Sequence, residues 1–186
     1  MMDISKGNTI IFSVDMNNGF AREGPLYSKR VEALIAPTAA FLAEARNAGI
    51  PVIAFTDAHQ DDSLEFGGYP PHCLDGTAES EIVDELKPYI DRIIKKNSTN
   101  CFFVYDGPYE PDHNYIITGC CTDICIYQFA VTLRAYLNQH DIRARVIVPR
   151  DLTDTYDAPG HDALILNDVF FKSMADNGIE VPAKLL

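Results

Sequence analysis

The chain is short of positive charge and has no long apolar run. Its 186 residues include 15 lysines and arginines against 27 aspartates and glutamates, which gives a formal net charge of −12. Such an acidic chain repels phosphate backbones and anionic lipid. No apolar stretch approaches the roughly 20 residues that a membrane-spanning helix needs. We therefore expect neither a nucleic-acid nor a membrane partner.

The sequence also lacks the signs of an exported protein. Its first eight residues (MMDISKGN) show no basic start followed by an apolar run, so we expect no signal peptide. The five cysteines are odd in number, and three of them, Cys120, Cys121 and Cys125, crowd into one short segment. This is not the pattern of a disulfide framework. Reduced thiols and a cytoplasmic location are the consistent expectation.

Strand and helix patterns alternate from one end of the chain to the other. Strands are predicted over residues 8–15, 51–56, 92–95, 114–118 and 145–148, and helices over residues 31–48, 79–87, 123–139 and 158–177. Continuously apolar strands between helices are typical of a mostly parallel sheet that is covered on both faces. We predict one α/β domain over residues 1–186, with three α/β/α layers and a doubly wound sheet of five or six strands.

Chemically reactive side chains follow every predicted strand. In strand order these are Asp15, then Asp57 and His59, then Lys96, then the three clustered cysteines, and finally Asp151. Ligands of such sheets bind beyond the carboxyl ends of the strands. The sequence therefore predicts a functional site along this edge.

The cysteine cluster suggests covalent catalysis. Cys125 falls in the first turn of a predicted helix, where free N–H groups and the helix dipole lower the pKa of a thiol. Asp15 could take the thiol proton, and Lys96 could hold both groups in place. Taken singly, Cys125 could be a small buried apolar residue, Asp15 a cap and Lys96 a surface cation.

A second group of residues could bind a metal ion. Asp57 and His59 are two residues apart in extended chain, so their side chains project to the same side. His72 follows thirteen residues after His59, and Glu65 lies between them. Oxygen and nitrogen ligands of this kind suit Zn²⁺, Mn²⁺ or Fe²⁺. The alternative is an Asp/His pair in a polar loop.

Three segments resemble the isochorismatase-like cysteine hydrolases. Residues 14–20 (VDMNNGF) resemble the family's V-D-x-Q-N-D-F, and residues 118–126 (TGCCTDICI) resemble its T-G-x-x-T-D-x-C-V signature. Lys96 lies six residues before Phe102, as in the family's K-x-x-x-S-A-F stretch. This resemblance implies Asp15 as general base, Lys96 as the third triad member and Cys125 as nucleophile.

The same resemblance implies further features of the site. It implies a cis peptide bond between Cys120 and Cys121, and an oxyanion hole formed by the N–H groups of Cys121 and Cys125. Phe20 matches a phenylalanine of the family's substrate pocket. A homo-oligomer is also expected.

Within the family, the resemblance is to nicotinamidases. These carry D-x-H after the second strand and then P-x-H-C-x-x-G-T, and residues 57–59 and 70–77 match both. The match implies Asp57, His59 and His72 as ligands of one divalent ion, with Zn²⁺ ahead of Mn²⁺ or Fe²⁺, and Glu65 as an additional ligand. The implied reaction converts nicotinamide to nicotinate and ammonia through a thioester.

Some positions depart from the family pattern, and rival functions stay open. The family's Q-N-D-F reads NNGF at residues 17–20, and a helix before the fourth strand is expected to be trimmed to a loop. Another carboxamide or a carbamoyl compound is an alternative substrate. A Mg²⁺ phosphohydrolase built on Asp15 and Asn17, or a non-catalytic binding protein, would be a different function. His113, His161 and Asp154 are interpreted as cap, surface or turn residues.

Overall fold

A parallel sheet of six strands forms the centre of the computed structural model, which describes residues 8–185. The strands are β1 (Thr9–Val14), β2 (Val52–Asp57), β3 (Arg92–Lys96), β4 (Asn114–Cys120), β5 (Arg145–Ile147) and β6 (Thr153–Asp154). Their order is β3-β2-β1-β4-β5, and β6 pairs with the end of β4. This confirms the predicted α/β class and the parallel sheet.

Helices cover both faces of this sheet. They are α1 (Asn18–Ala21), α2 (Lys29–Ala33), α3 (Ile35–Ala48), α4 (Tyr127–Gln139) and α5 (Ala163–Asp176). Successive strand residues point to opposite faces, so Ile11 packs in the core with Leu42 of α3, while Phe12 packs in a second core with Phe129 of α4. Each such side chain contributes roughly 1.5–3 kcal/mol by burial. Across residues 8–185, no helix is long and apolar enough to cross a membrane.

The helix predicted over residues 31–48 is divided at Leu34 into α2 and α3. Proline has no N–H group, so Pro37 cannot donate to the carbonyl four residues earlier, and the helical ladder is interrupted there. At the other end, Gly49 has φ 68 and closes α3 in the left-handed conformation. The predicted stop at this glycine is confirmed.

The helix predicted over residues 79–87 is wrong. The segment holds two short 3₁₀ turns, Ala78–Ser80 and Lys87–Tyr89, with a β-bridge at Ile82 and a further turn over residues 84–86 between them. The carbonyl of Glu81 accepts from the N–H of Asn18 at 2.8 Å, and the N–H of Val83 donates to the carbonyl of Met16 at 3.0 Å. Pairing with the loop after β1 replaces the hydrogen bonds of a helix.

The last helix begins at Ala163 rather than at residue 158. Pro159 and Gly160 lie in a turn, which reciprocal backbone hydrogen bonds between Ala158 and His161 close at 3.0 and 2.9 Å. The Asp162 carboxylate then caps α5 by accepting from the N–H groups of residues 164 and 165. The cap is therefore Asp162, and His161 is left for another role.

Strand register brings the functional segments together. Asp57 and Lys96 are partners on the neighbouring strands β2 and β3, and Val14 is the partner of Gly119 between β1 and β4. Gly119 has φ 112, and a Cβ atom there would lie 1.9 Å from the carbonyl oxygen of Val14. Only glycine permits this approach, which sets the turn after β4 beside Asp15.

Candidate active site

Three buried side chains meet where strands β1, β3 and β4 end. Lys96 Nζ lies 2.9 Å from Asp15 Oδ2 and 4.0 Å from Cys125 Sγ. Lys96 closes β3, Asp15 follows β1 directly, and Cys125 lies in the turn after β4. Their exposed fractions are 2%, 1% and 7%. The structure thus brings together the residues that the sequence assigned to a triad.

The ammonium group of Lys96 contacts two carboxylates in this site, that of Asp15 and, through Oδ1, that of Asp57. Burial and then repulsion from Asp57 raise the pKa of Asp15 to about 7, against the attraction of Lys96. Burial works to lower the pKa of Lys96, but the two carboxylates outweigh it and hold that pKa well above its usual value. Lys96 therefore stays charged, while Asp15 can exchange a proton near neutral pH.

The pKa of the Cys125 thiol differs from the value that the sequence led us to expect. It lies on a five-residue π-helical turn, Thr122–Ile126, that precedes α4. Burial raises its pKa well above the usual value, although Lys96 acts in the opposite direction. The prediction of a lowered thiol pKa is therefore wrong for the free site, because the loss of hydration outweighs the helix dipole. Such a thiol needs a neighbouring base to become a nucleophile.

The two cysteines before this turn have different surroundings. The peptide bond between Cys120 and Cys121 is cis, as the family resemblance implies. Cys120 is buried, and its Sγ donates to the carbonyl oxygen of Asp15 at 3.1 Å. Asp15 has φ 54, a left-handed conformation that costs a non-glycine residue about 1–3 kcal/mol. Cys120 thus helps to hold the Asp15 turn, whereas Cys121 lines the cavity.

Four potential ligands of a single metal ion, which together are named the metal cluster, lie beside Asp15 and Lys96. The donor atoms of Asp57, His59, Glu65 and His72 all lie within 4.8 Å of one another. His59 Nε2 is 3.6 Å from Asp57 Oδ2 and 3.9 Å from Glu65 Oε1, and His72 Nε2 is 3.7 Å from Asp57 Oδ2. Ligands about 2.0–2.1 Å from one tetrahedral ion are separated by about 3.3 Å, so the donor atoms, which lie within 4.8 Å of one another, would move closer together on metal binding.

The two histidines are oriented as metal ligands usually are. Asn97 Oδ1 lies 2.9 Å from His59 Nδ1, and the carbonyl oxygen of Pro70 lies 2.8 Å from His72 Nδ1. Both acceptors favour a proton on Nδ1, which leaves the Nε2 lone pair facing the cluster. His59 Nε2 is buried without a hydrogen-bond partner. These two nitrogens and two carboxylates fit a borderline divalent cation.

Asp57 belongs to the metal cluster and to the triad at once. Its Oδ1 contacts Lys96, and its Oδ2 faces His59 and His72. Burial alone would raise the pKa of Asp57, but Lys96 and then the two histidines lower it well below its usual value. The carboxylate is therefore ionised and available to a cation. This link from Lys96 to the metal cluster was not predicted from the sequence.

A cavity of about 740 Å³ opens onto the triad and the metal cluster. Phe20 and Tyr69 line one part of it, and Tyr156 lines another. Its volume lies in the range of roughly 300–1,000 Å³ that is typical of small-molecule sites. Phe66 does not line the cavity but packs on His59, with ring centroids 5.4 Å apart. Phe20, which the family resemblance places in the substrate pocket, and Tyr69 are thus placed to meet a ligand.

One departure from the family pattern has a packing explanation. Gly19 stands where the family has aspartate, and a Cβ atom at this position would lie 2.6 Å from Cys73 Sγ. Cys73 directly follows the candidate ligand His72, so the absent side chain lets α1 pack closely on the loop that carries His72. The Phe20 ring lies 5.5 Å from the His72 ring as a result of this contact.

Some residues around the site were not found from the sequence. Asn97, which orients His59, had a usable signal because it directly follows the end of β3. Arg30 had none, since its partners Asp154 and Thr155 lie far along the chain. Arg30 Nη2 is 2.9 Å from Asp154 Oδ1, and Arg30 Nε donates to the carbonyl oxygen of Thr155 at 3.1 Å.

Asn17 does not support the phosphohydrolase alternative. Its Nδ2 donates to the carbonyl oxygens of Asp57 and Ser80, both at 3.0 Å. The side chain is fully buried and braces the end of β2 against the loop after β1. Its amide nitrogen is therefore occupied by backbone contacts.

Comparison with known proteins agrees with this geometry. The sequence profile of the isochorismatase domain family matches residues 9–176. Nicotinamidase 1 from Arabidopsis thaliana is 29% identical over 174 residues, which span 81% of this chain and 70% of that protein. PnC1 from L. infantum, solved in complex with nicotinate, has a TM-score of 0.77 at 20% identity, with 97% and 94% of the two chains covered.

A further solved structure contains a metal ion. The pyrazinamidase of Pyrococcus horikoshii in complex with zinc has a TM-score of 0.73 at 19% identity, over 96% of this chain and 99% of the other. At this identity the likeness concerns the fold. The family match covers nearly the whole chain, and the predicted resemblance is confirmed. The chain belongs to the isochorismatase family, and nicotinamidases are among its relatives.

Proposed function

We propose that this amide-bond hydrolase is a metal-dependent nicotinamidase, which converts nicotinamide to nicotinate and ammonia. The observation that carries the proposal is the shared position of Asp57, between Lys96 of the triad and the histidines of the metal cluster. A cavity of small-molecule size opens onto both groups. The residues proposed for covalent attack thus lie next to those proposed to hold the pyridine ring.

In the proposed reaction, Asp15 takes the proton of the Cys125 thiol as the sulfur attacks the carboxamide carbon. The two groups have Lys96 in common, and its ammonium stabilises the charges that form on them. The backbone N–H groups of Cys121 and Cys125 stabilise the oxyanion. Asp15 passes its proton to the leaving ammonia, and a thioester remains on Cys125. Asp15 then deprotonates a water molecule that attacks the thioester, and it returns this proton to the Cys125 sulfur as the C–S bond breaks and nicotinate leaves.

Asp57, His59, Glu65 and His72 would hold the divalent ion. When bound, the ion supplies a Lewis acid that can bind the ring nitrogen of the substrate and so fix its orientation. Phe20 and Tyr69 provide apolar walls for a flat ring. Zinc is the proposed metal, because two imidazoles and two carboxylates suit it.

A cytoplasmic location and a homo-oligomer complete the proposal. All five cysteines are free, as expected in a reducing compartment. The oligomer is proposed from the family resemblance.

A panel of amides tests the substrate assignment. Ammonia release is measured with nicotinamide, pyrazinamide, a carbamoyl compound and an aliphatic amide, and metal content is determined on the same sample. We expect the highest kcat/KM for nicotinamide and about one divalent ion per chain. A carbamoyl compound that is hydrolysed more than about tenfold faster would overturn the nicotinamide assignment and leave the reaction class intact.

The rate is expected to fall in acid. Asp15 must be ionised to accept the thiol proton, and its pKa is raised to about 7. Below that pH the protonated fraction grows, so kcat/KM should drop about tenfold per unit of pH. A pH profile measures this, and Asp15→Asn should abolish the acid limb and lower kcat by about 10²–10⁴. An acid limb near pH 4, the value of an ordinary aspartate, would contradict the assignment.

A further inference from the structure

A histidine that has no part in the proposed reaction joins the nucleophile turn to the cavity wall. His161 Nε2 lies 2.8 Å from Asp123 Oδ2, and His161 Nδ1 lies 2.9 Å from the carbonyl oxygen of Tyr156. The rings of His161 and Tyr156 stack, with centroids 3.8 Å apart and planes at 11°. Asp123 lies two residues before Cys125 on the same turn, and Tyr156 lines the cavity.

The chemistry of these contacts makes the connection a strong one. Each ring nitrogen of His161 faces an acceptor, the carbonyl oxygen of Tyr156 on one side and the carboxylate of Asp123 on the other. A hydrogen bond to a carboxylate is stronger than one between neutral groups. Asp123 Oδ1 also accepts from Thr155 Oγ1 at 2.5 Å. The Asp123 carboxylate thus binds the residues that flank the wall segment, which comprises residues 156–158: Thr155 on one side and His161 on the other.

The wall segment is also contacted at Asp157 by α2 and α5: Arg30 Nη1 lies 3.7 Å from Asp157 Oδ2, and the N–H of Ala163, the first residue of α5, donates to Asp157 Oδ1 at 2.8 Å. Asp162, not His161, caps that helix, and the backbone pairing of Ala158 with His161 only closes the turn between them. Tyr156, Asp157 and Ala158 all line the cavity. Asp157 is thus held by Arg30 and Ala163, whereas the link from this segment to the turn of Cys125 runs through His161 and Thr155, which both bind Asp123.

We propose that His161 is a positioning residue, which holds the wall segment 156–158 against the turn of Cys125 and thereby sets the affinity for the amide substrate. This rests on the proposed amide hydrolysis at Cys125. His161 contacts neither the triad nor the metal cluster directly, so its loss should weaken substrate binding and leave the chemical step intact.

Steady-state kinetics with nicotinamide provide the first test. For His161→Ala we expect KM to rise about tenfold with kcat within about twofold of the wild-type value, the pattern of lost binding without lost chemistry. His161→Gln keeps one amide donor that can reach Asp123, so its KM should fall between the two. An unchanged KM in His161→Ala, or a loss confined to kcat, would refute the positioning role.

Asp162→Ala is the matched control for a general effect on α5. It removes the cap next to His161 and should lower the thermal midpoint, yet KM should stay at the wild-type value. An increase in KM equal to that of His161→Ala would mean that the effect is structural.

The second test does not depend on turnover. Iodoacetamide labelling of Cys121 and Cys125, followed by mass spectrometry, should be about tenfold faster in His161→Ala because the wall is loosened. Wild type and Asp162→Ala should label equally slowly. If no amide of the panel is hydrolysed, the proposed function fails, whereas equal labelling rates in all three proteins would sink the positioning role by itself.

Discussion

Replacement of Cys125 by alanine is expected to lower kcat for amide hydrolysis by at least about 10⁴-fold, because the Cys125 sulfur is the proposed attachment point of the covalent intermediate. Burial raises the pKa of this thiol, which therefore needs a base, and the proposed base Asp15 and its partner Lys96 lie beside it. Ammonia release under single-turnover conditions measures the loss. Intact-mass analysis of the wild type after a rapid acid quench should also detect an acyl adduct on Cys125.

Cys121→Ala is the matched control for Cys125→Ala. Its thiol lines the same cavity, but the role proposed for Cys121 belongs to the backbone N–H, which alanine keeps. Activity of the wild-type order is therefore expected. Wild-type circular dichroism spectra for both variants would exclude unfolding as the cause. Ammonia release that survives in Cys125→Ala, or disappears in Cys121→Ala, would show that the nucleophile has been misassigned.

Asp57→Ala is expected to weaken metal binding by at least about 100-fold, since changing only a group behind a ligand already costs 10–100-fold. The same change removes one of the two carboxylates beside Lys96. Hydrolysis should therefore fall through loss of the metal and through disturbance of the triad. Metal content after dialysis and kcat/KM measure the two effects. Addition of excess Zn²⁺ should restore only part of the activity.

Asp75, an exposed aspartate in the loop that carries His72, provides the control for Asp57→Ala. Asp75 pairs with Lys95 at 2.5 Å and lies outside the cluster, so Asp75→Ala should keep both metal and activity. A chelator should abolish wild-type activity, and added metal should restore it. One tightly held ion per chain in Asp57→Ala would disprove the ligand set.

The sheet and the catalytic edge could be predicted because they follow from short-range patterns. Apolar runs mark the strands, and the rule that ligands bind beyond their carboxyl ends makes Asp15, Lys96 and Cys125 neighbours. Which side chains act together could be predicted only where the residue types restrict the choice, as they do for metal ligands. Asp57 was expected to bind a metal, but its contact with Lys96 depends on strand register, which a single sequence does not reveal.

The errors arise where long-range contacts override local preference. Residues 79–87 have a helical pattern, yet Glu81 and Val83 pair with the chain after β1. The pKa of Cys125 was misjudged because its burial depends on the whole fold rather than on the turn around it. His161 was interpreted as a cap or surface residue, because the residues near it in the sequence give no indication that it contacts Asp123.

The dispersal of the site over neighbouring strands has a consequence for how the protein folds. Asp15 comes from the first strand, Lys96 from the third and Cys125 from the turn after the fourth, so no local segment contains a working site. Their meeting requires parallel pairings between distant parts of the chain, which form slowly and late. An emerging chain therefore carries an ordinary thiol, and the competent nucleophile exists only once the β3-β2-β1-β4 order is complete. Recovery of activity during refolding should accordingly report the pairing of these four strands.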